Sequence, residues 1–142
     1  MREIKFRGKP IEDYGDTKWL YGSAIMDYED KLAYIEANYQ GCVPVEWETV
    51  SQYTGLKDNK NVPIYEGDIV YHERFNETSE IAYSGKEMCF IGIPCEAEHR
   101  KSYFDGYIDS IDLMNENLEI FKCEVIGNIY ENPELLKGGK GE

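Results

Sequence analysis

Apolar and polar residues alternate with a period of two along much of this chain, which is the pattern of β-strands with one buried face. The alternation covers Arg2–Arg7 near the start and Glu119–Tyr130 near the end. Between them, Lys18–Met26 and Lys31–Ala37 are aromatic and β-branched runs separated by the short polar link Asp27–Asp30. A link of that length and composition suits a β-hairpin. The pattern therefore predicts a chain dominated by strands.

Turn and bulge signals separate these strands from one another. Gly127 interrupts the last strand, where an internal glycine is typical of a β-bulge. The tetrapeptide Phe104-Asp105-Gly106-Tyr107 is predicted to form a hairpin turn, because Asp-Gly supplies the positive φ that such turns need. Gly, Asp and Asn are concentrated between residues 55 and 61, which predicts another turn. Further extended segments are predicted over residues 44–53, 67–75, 80–83 and 87–94.

Helical signals are short and few. Asp109–Leu118 places apolar residues at spacings of three and four, which predicts one amphipathic helix. Asn132-Pro133-Glu134 supplies an N-cap, a proline at the first helical position and an acid in the first turn, so a helix of one or two turns is predicted there. The charged stretch Glu96–Ser102 fits either a helical turn or an exposed loop.

Many short strands with one or two short helices predict a mainly β (α+β) fold. The architecture is expected to be small and barrel-like, or to consist of two antiparallel sheets. We expect one domain over residues 1–137, or two small lobes at roughly 1–65 and 66–137, followed by a flexible tail over 138–142.

The chain is acidic throughout. Its 142 residues include 28 acids and 15 bases, a net charge of −13. Residues 1–71 contain 13 acids and 8 bases, and residues 72–142 contain 15 acids and 7 bases, so the excess is not an acidic tail. A molecule this negative repels phosphates, and direct DNA binding is therefore disfavoured. The one basic island comprises Arg2, Lys5, Arg7 and Lys9.

The hydropathy pattern excludes two membrane-related classes. The mean hydropathy is −0.59, and no apolar run approaches the ~18 residues of a membrane span. The first residues lack the apolar stretch of a secretory signal, so we expect a protein that stays in the cytoplasm.

The cysteines and histidines predict no metal site. Without a C-x-x-C pair or an export signal, the four cysteines are expected to be reduced thiols. Cys89, Cys95, His99 and His72 could be combined into a ligand set, but the spacing C-x5-C-x3-H is not a recurrent zinc pattern. We therefore assign no metal and no cofactor.

The acidic residues offer only weak catalytic candidates. Glu66 and Asp68 flank Gly67, and with His72 they could hold a divalent cation for metal-assisted hydrolysis. A Glu-Gly-Asp turn more often binds its own backbone amides, and we favour that interpretation. No nucleotide-binding or hydrolase motif is present, so no catalytic residue is assigned. A solvated acidic face is expected at Asp105, Asp109, Asp112 and Glu116.

Aromatic residues are unusually abundant for a chain of this size. The 12 tyrosines exceed what one small core needs, and Tyr and Trp are enriched at interface hot spots. A surplus exposed on one face would form a protein-binding or self-association surface. The Tyr and Trp residues spread over the predicted strands are Trp19, Tyr21, Tyr34, Trp47, Tyr53, Tyr65 and Tyr71.

Four segments together resemble one protein family. They are Arg2–Lys9, the Trp19-Leu20-Tyr21-Gly22 strand, Gln52–Val70 and Val125–Leu136. This combination resembles the YopX proteins of phages and prophages of Gram-positive bacteria. The resemblance implies a mostly β fold and a product of the host cytoplasm, but no established activity and no functional residues. The segment 74–102 matches poorly, so any function private to this chain is expected there.

These observations favour a non-enzymatic phage or prophage accessory protein. It is expected to act through protein–protein contacts and to form a homo-oligomer, with a basic host or phage protein as another conceivable partner. One alternative is an acidic DNA mimic that inhibits a host nucleic-acid enzyme, and a second is the metal-assisted hydrolase. The candidate interaction or structural motif, called here the glycine–tyrosine motif, comprises Tyr53, Gly55, Tyr65, Glu66, Gly67, Asp68, Gly127, Asn128, Tyr130 and Asn132.

Overall fold

The computed structural model of the chain contains two compact units, Met1–Gly55 and Leu56–Glu142. It describes residues 3–13, 15–37, 40–73, 76–109, 111–112 and 123–136. Each unit is built on an antiparallel sheet with its own core. This confirms the predicted mainly β fold with two antiparallel sheets, and over these residues neither sheet is a closed barrel. Among the described residues, no helix is long and apolar enough to cross a membrane.

The sheet of the first unit includes both strands of the predicted hairpin. Its strands run antiparallel in the order β4-β3-β2-β1-β5, and the predicted hairpin joins β2 to β3. The Asp27 carboxylate holds this hairpin turn by accepting bonds from the amides of Glu29 and Asp30. The strands are β1 (Phe6–Gly8), β2 (Leu20–Asp27), β3 (Leu32–Ala37), β4 (Gly41–Val45) and β5 (Ser51–Lys57), whose last two residues belong to the second unit.

One face of this sheet forms the core of the first unit. Every second residue of β2 and β3 is buried or half-buried, as a period of two requires. The predicted extended segment 44–53 is partly wrong, because a 3-10 helix at Trp47–Thr49 separates β4 from β5. The buried apolar side chains are Leu20, Ala33, Ile35, Val43 and Val45.

The second unit contains the remaining strands. Its five-stranded antiparallel sheet has the order β10-β9-β8-β7-β11, and its core is formed by Ile64, Val70, Ile81 and Cys123. The strands are β6 (Pro63–Tyr65), β7 (Asp68–His72), β8 (Glu77–Ser84), β9 (Cys89–Pro94), β10 (Ile111–Asp112) and β11 (Cys123–Asn128).

The α-helix of the described chain lies earlier than the predicted amphipathic helix. Helix α1 (Ala97–Phe104) occupies the stretch that fitted either a helical turn or a loop. Asp105-Gly106 ends this helix and does not form the predicted hairpin turn: the Gly106 amide bonds to the carbonyl oxygen of Tyr103 at φ +85°. The prediction of a helix over Asp109–Leu118 is wrong at Ile111–Asp112, which forms β10, and residues 113–118 lie outside the described part.

The end of the described chain confirms the bulge and shortens the helix. Strand β11 pairs with β7, and its register shifts between Val125 and Gly127. Residues 119–122 of the predicted strand lie outside the described part, as does the tail 138–142. The predicted terminal helix is a single 3-10 turn, Pro133–Leu135. The Asn132 side chain does not cap it, because its Oδ1 accepts the amide hydrogen of Asn128 at 3.2 Å.

Candidate functional site

The face of the first sheet opposite its core presents apolar side chains to solvent. Because Leu20, Ala33 and Val43 face the core, the intervening residues of the same strands point away from it. We call this surface the outer sheet face. It comprises Lys5, Tyr21, Ser23, Ile25, Asp27, Leu32, Tyr34, Glu36, Cys42 and Pro44.

An apolar row crosses three strands at the centre of this face. The register pairs Ile25 with Tyr34 and Tyr34 with Pro44, so the three side chains lie side by side. Ile25 is 49% exposed, and Leu32, two residues from Tyr34 on β3, is 46% exposed. Tyr34 is half-buried and Pro44 is exposed. The sequence predicted that some aromatic residues would be exposed, but the pairing of three strands was needed to bring these residues together.

Three residues of the basic island lie against two aromatic rings of the same unit. The Arg7 guanidinium is 4.4 Å from the centroid of the Trp19 ring, and the Lys9 ammonium is 5.9 Å from it. The Lys5 ammonium is 5.9 Å from the centroid of the Tyr21 ring. These are cation–π distances, and they place three bases beside two aromatic rings. Lys5, Trp19 and Tyr21 also line a cavity of about 440 Å³.

Part of the glycine–tyrosine motif forms a hydrogen-bonded turn in the second unit. Asp68 is buried, and its Oδ2 accepts the Tyr65 amide at 2.8 Å, which is the backbone-binding role favoured for the Glu-Gly-Asp turn. Gly67 donates its amide hydrogen to Ile81 and accepts one from Ile129. A Cβ at Gly67 would lie 3.0 Å from the Tyr130 ring. Glu66 is part of this turn and is half-buried.

The bulge of β11 joins the same motif from the other side. A Cβ at Gly127 would lie 2.5 Å from the Asn132 side-chain oxygen. Asn128 Oδ1 accepts the amides of Tyr130 and Glu131 at 3.0 and 2.9 Å, and the Asn132 amide bonds back to the Asn128 carbonyl oxygen. In these hydrogen bonds, the side-chain oxygens of Asn128 and Asn132 accept backbone amides.

The two motif residues of the first unit lie in β5. Tyr53 is buried, and its pKa is raised by burial and then by the charge of Glu3. Gly55 has a φ of +91°, with open space where a Cβ would stand.

A cavity in the second unit lies in the segment where a private function was expected. Its volume is about 400 Å³, and its lining includes Tyr71, Glu77, Cys95, Glu96 and His99. His99 Nδ1 is 2.6 Å from the Glu77 carboxylate and 3.4 Å from that of Glu96. Burial raises the pKa of the Cys95 thiol, although a bond with Thr78 opposes the shift. The cavity thus contains an imidazole between two carboxylates, and its one thiol is buried.

The residues considered for metal chemistry do not converge. No group of three or more His, Cys, Asp or Glu residues in the described ranges could hold a metal ion. Asp68 and His72 are at opposite ends of β7, paired with Asn128 and Cys123 respectively. His72 is buried, and this burial lowers its pKa, with Glu77 acting in the opposite direction.

A second group of exposed apolar residues, called here the helix-end patch, lies in the second unit. Two of its members, Phe104 and Ile108, border a cavity of about 370 Å³ near the end of α1. Asp105 and Asp109 of the predicted acidic face are exposed there, whereas the Asp112 side chain and Glu116 lie outside the described part. The patch comprises Tyr83, Met88, Phe104, Tyr107 and Ile108.

Comparison with known proteins finds a matching family profile and a similar solved structure. The family profile described as YopX protein matches residues 5–137. This chain belongs to the YopX family. The crystal structure of protein EF1440 from Enterococcus faecalis is similar to this YopX chain, with a TM-score of 0.48 and 23% sequence identity. The match covers 96% of this chain and 100% of that one. No curated protein matches this YopX sequence.

Proposed function

We propose that this YopX protein is a phage or prophage accessory protein of the host cytoplasm that acts through protein–protein contacts, with itself as one partner, and not through catalysis. The observation that supports this proposal is the outer sheet face. There, Ile25, Tyr34 and Pro44 form one apolar row across three paired strands.

The chemistry of this face suits a protein partner. Contiguous apolar side chains that remain exposed are typical of interaction sites. Tyrosine is also enriched at interface hot spots. The row is carried by a sheet whose opposite face is a packed core. Because that core holds the strands in place, docking on the face requires little ordering of the backbone, which lowers the entropic cost of binding.

Replacing Ile25 by Lys tests the proposal. The substitution puts a charge at one end of the apolar row, where burial against a partner would have to desolvate it. We expect it to weaken self-association by about tenfold or more. Sedimentation velocity over a range of protein concentrations measures the change.

Ile126→Lys is the matched control, because Ile126 is 42% exposed on β11 of the other unit. It should leave association unchanged. A wild-type protein that sediments as a monomer at every concentration would contradict self-association. An Ile25→Lys protein that associates as tightly as Ile126→Lys would exclude the outer sheet face as the contact.

A further inference from the structure

Two opposite charges of the outer sheet face, Lys5 and Glu36, lie on opposite sides of β2. Phe6 is paired with Gly22, and continuing this register by one residue sets Lys5 opposite Ser23. Ser23 is in turn paired with Glu36 on β3. Lys5 and Glu36 are therefore separated by two strand spacings, roughly 10 Å.

Both charges are available to a molecule that docks on the face. The Lys5 ammonium is held over the Tyr21 ring, and Tyr21 is 45% exposed. Glu36 is exposed, and among the described residues it has no ion-pair partner. Between the two charges, β2 presents Tyr21, Ser23 and Ile25 along one line.

We infer that the outer sheet face binds the same face of a second copy of this chain, with Lys5 of each copy against Glu36 of the other. This inference rests on the proposed function and names its partner. A two-fold interface requires a patch that is complementary to itself. A two-fold axis lying between the faces and parallel to β2 exchanges the positions of Lys5 and Glu36, so that opposite charges meet twice.

The same axis brings the apolar side chains together. Ile25 and Tyr21 of the two copies meet along the axis, inside the two charge pairs, as in an interface with an apolar centre and a polar rim. Aligned packing of two sheets places them about 10 Å apart, which these side chains can fill. Asp27 lies at the end of β2, where its carboxylate already accepts the amides of Glu29 and Asp30.

A charge-reversal cycle tests the pairing. Lys5→Glu and Glu36→Lys each place like charges opposite one another in the dimer, so each should raise its dissociation constant by about tenfold or more. A mixture of the two variants restores both opposite-charge contacts. In the heterodimer, the substituted position 5 of one variant meets the substituted position 36 of the other, and the unchanged Glu36 of the first meets the unchanged Lys5 of the second. The two variants should therefore form a heterodimer more tightly than either forms a homodimer.

Native mass spectrometry and sedimentation velocity on the full chain measure these species. Lys57→Glu and Glu98→Lys are the controls, since both residues are exposed in the second unit and their replacement changes the net charge equally. If the protein associates but Lys5→Glu and Glu36→Lys behave like these controls, the inference is wrong and the proposed function stands. If the wild type is monomeric at about millimolar concentration, both self-association and the inference are wrong.

Discussion

Two glycines in this chain, Gly22 and Gly127, allow neighbouring groups to approach closely. At Gly22 in β2, a side chain would project onto the backbone carbonyl oxygen of Glu36 in β3, inside van der Waals contact. At Gly127 the obstacle is instead the Asn132 side chain. A side chain can rotate away more easily than a backbone can move, so Gly22 is the more demanding position. This gives a physical reason for the glycine that ends the Trp19-Leu20-Tyr21-Gly22 segment.

Gly22→Ala is predicted to be strongly destabilising. The added Cβ can be accommodated only if β2 and β3 separate, and we expect the free energy of unfolding to fall by about 3 kcal/mol or more. Gly85→Ala is the control, because a Cβ there would meet nothing within 4 Å. Urea denaturation of both variants gives the difference. Equal stability of the two variants would contradict the close approach.

The buried residues show how far sequence reasoning reaches at this scale. Leu20 and Ile35 lie in the runs that the sequence predicted as strands, and they are core residues, whereas the core residue Val43 lies just before the predicted segment 44–53. The alternation along the chain could not show that Ile25 and Tyr34 lie side by side. That contact depends on strand register, which is set by the turn between the strands and by the packing of the whole face.

At the scale of elements, strands were predicted better than helices. A strand pattern needs only a few alternating residues, whereas α1 has apolar residues in no periodic order and is positioned by its ends. Glu96 is its N-cap, with its carboxylate accepting the amides of Glu98 and His99 at 3.2 and 3.0 Å. Gly106 follows its C-terminus. The sequence pair Asp105-Gly106, which ends the helix, was interpreted from the sequence as a hairpin turn.

Glu96→Ala is predicted to destabilise the protein by about 0.5–2 kcal/mol, because two amides of the first turn lose their acceptor. Glu96→Asp, which keeps a carboxylate at the cap, should recover part of this loss. Glu98→Ala is the control within the same turn, since Glu98 is exposed and contributes only its backbone amide to the cap. Thermal unfolding followed by circular dichroism measures the three variants. A loss for Glu98→Ala as large as that for Glu96→Ala would contradict the cap.

At the scale of the whole molecule, the net charge of −13 opposes self-association. Two copies repel each other over a distance set by ionic strength, with a Debye length of about 30 Å at 0.01 M and about 8 Å at 0.15 M salt. Contacts within a docked face are closer than either length. Salt therefore removes the long-range repulsion before it weakens the short-range pairs.

Self-association is predicted to strengthen as NaCl rises from about 0.01 to about 0.15 M, because the repulsion between copies is screened. Sedimentation equilibrium at each salt concentration gives the association constant. A basic partner captured by an acidic DNA mimic should behave oppositely and dissociate with salt. Association that weakens steadily over this range would contradict an apolar contact between two acidic copies.

The sequence by itself determined the strand-rich class, the β2–β3 hairpin, the bulge at Gly127 and the family, because these depend on local alternation, turn chemistry and short segments. Only the tertiary structure decided that there are two sheets, that α1 precedes the position predicted for a helix, and that Lys5, Ile25 and Glu36 share one solvent-facing surface. Strand order and register join residues that are distant along the chain, and a local pattern contains no information about such pairings.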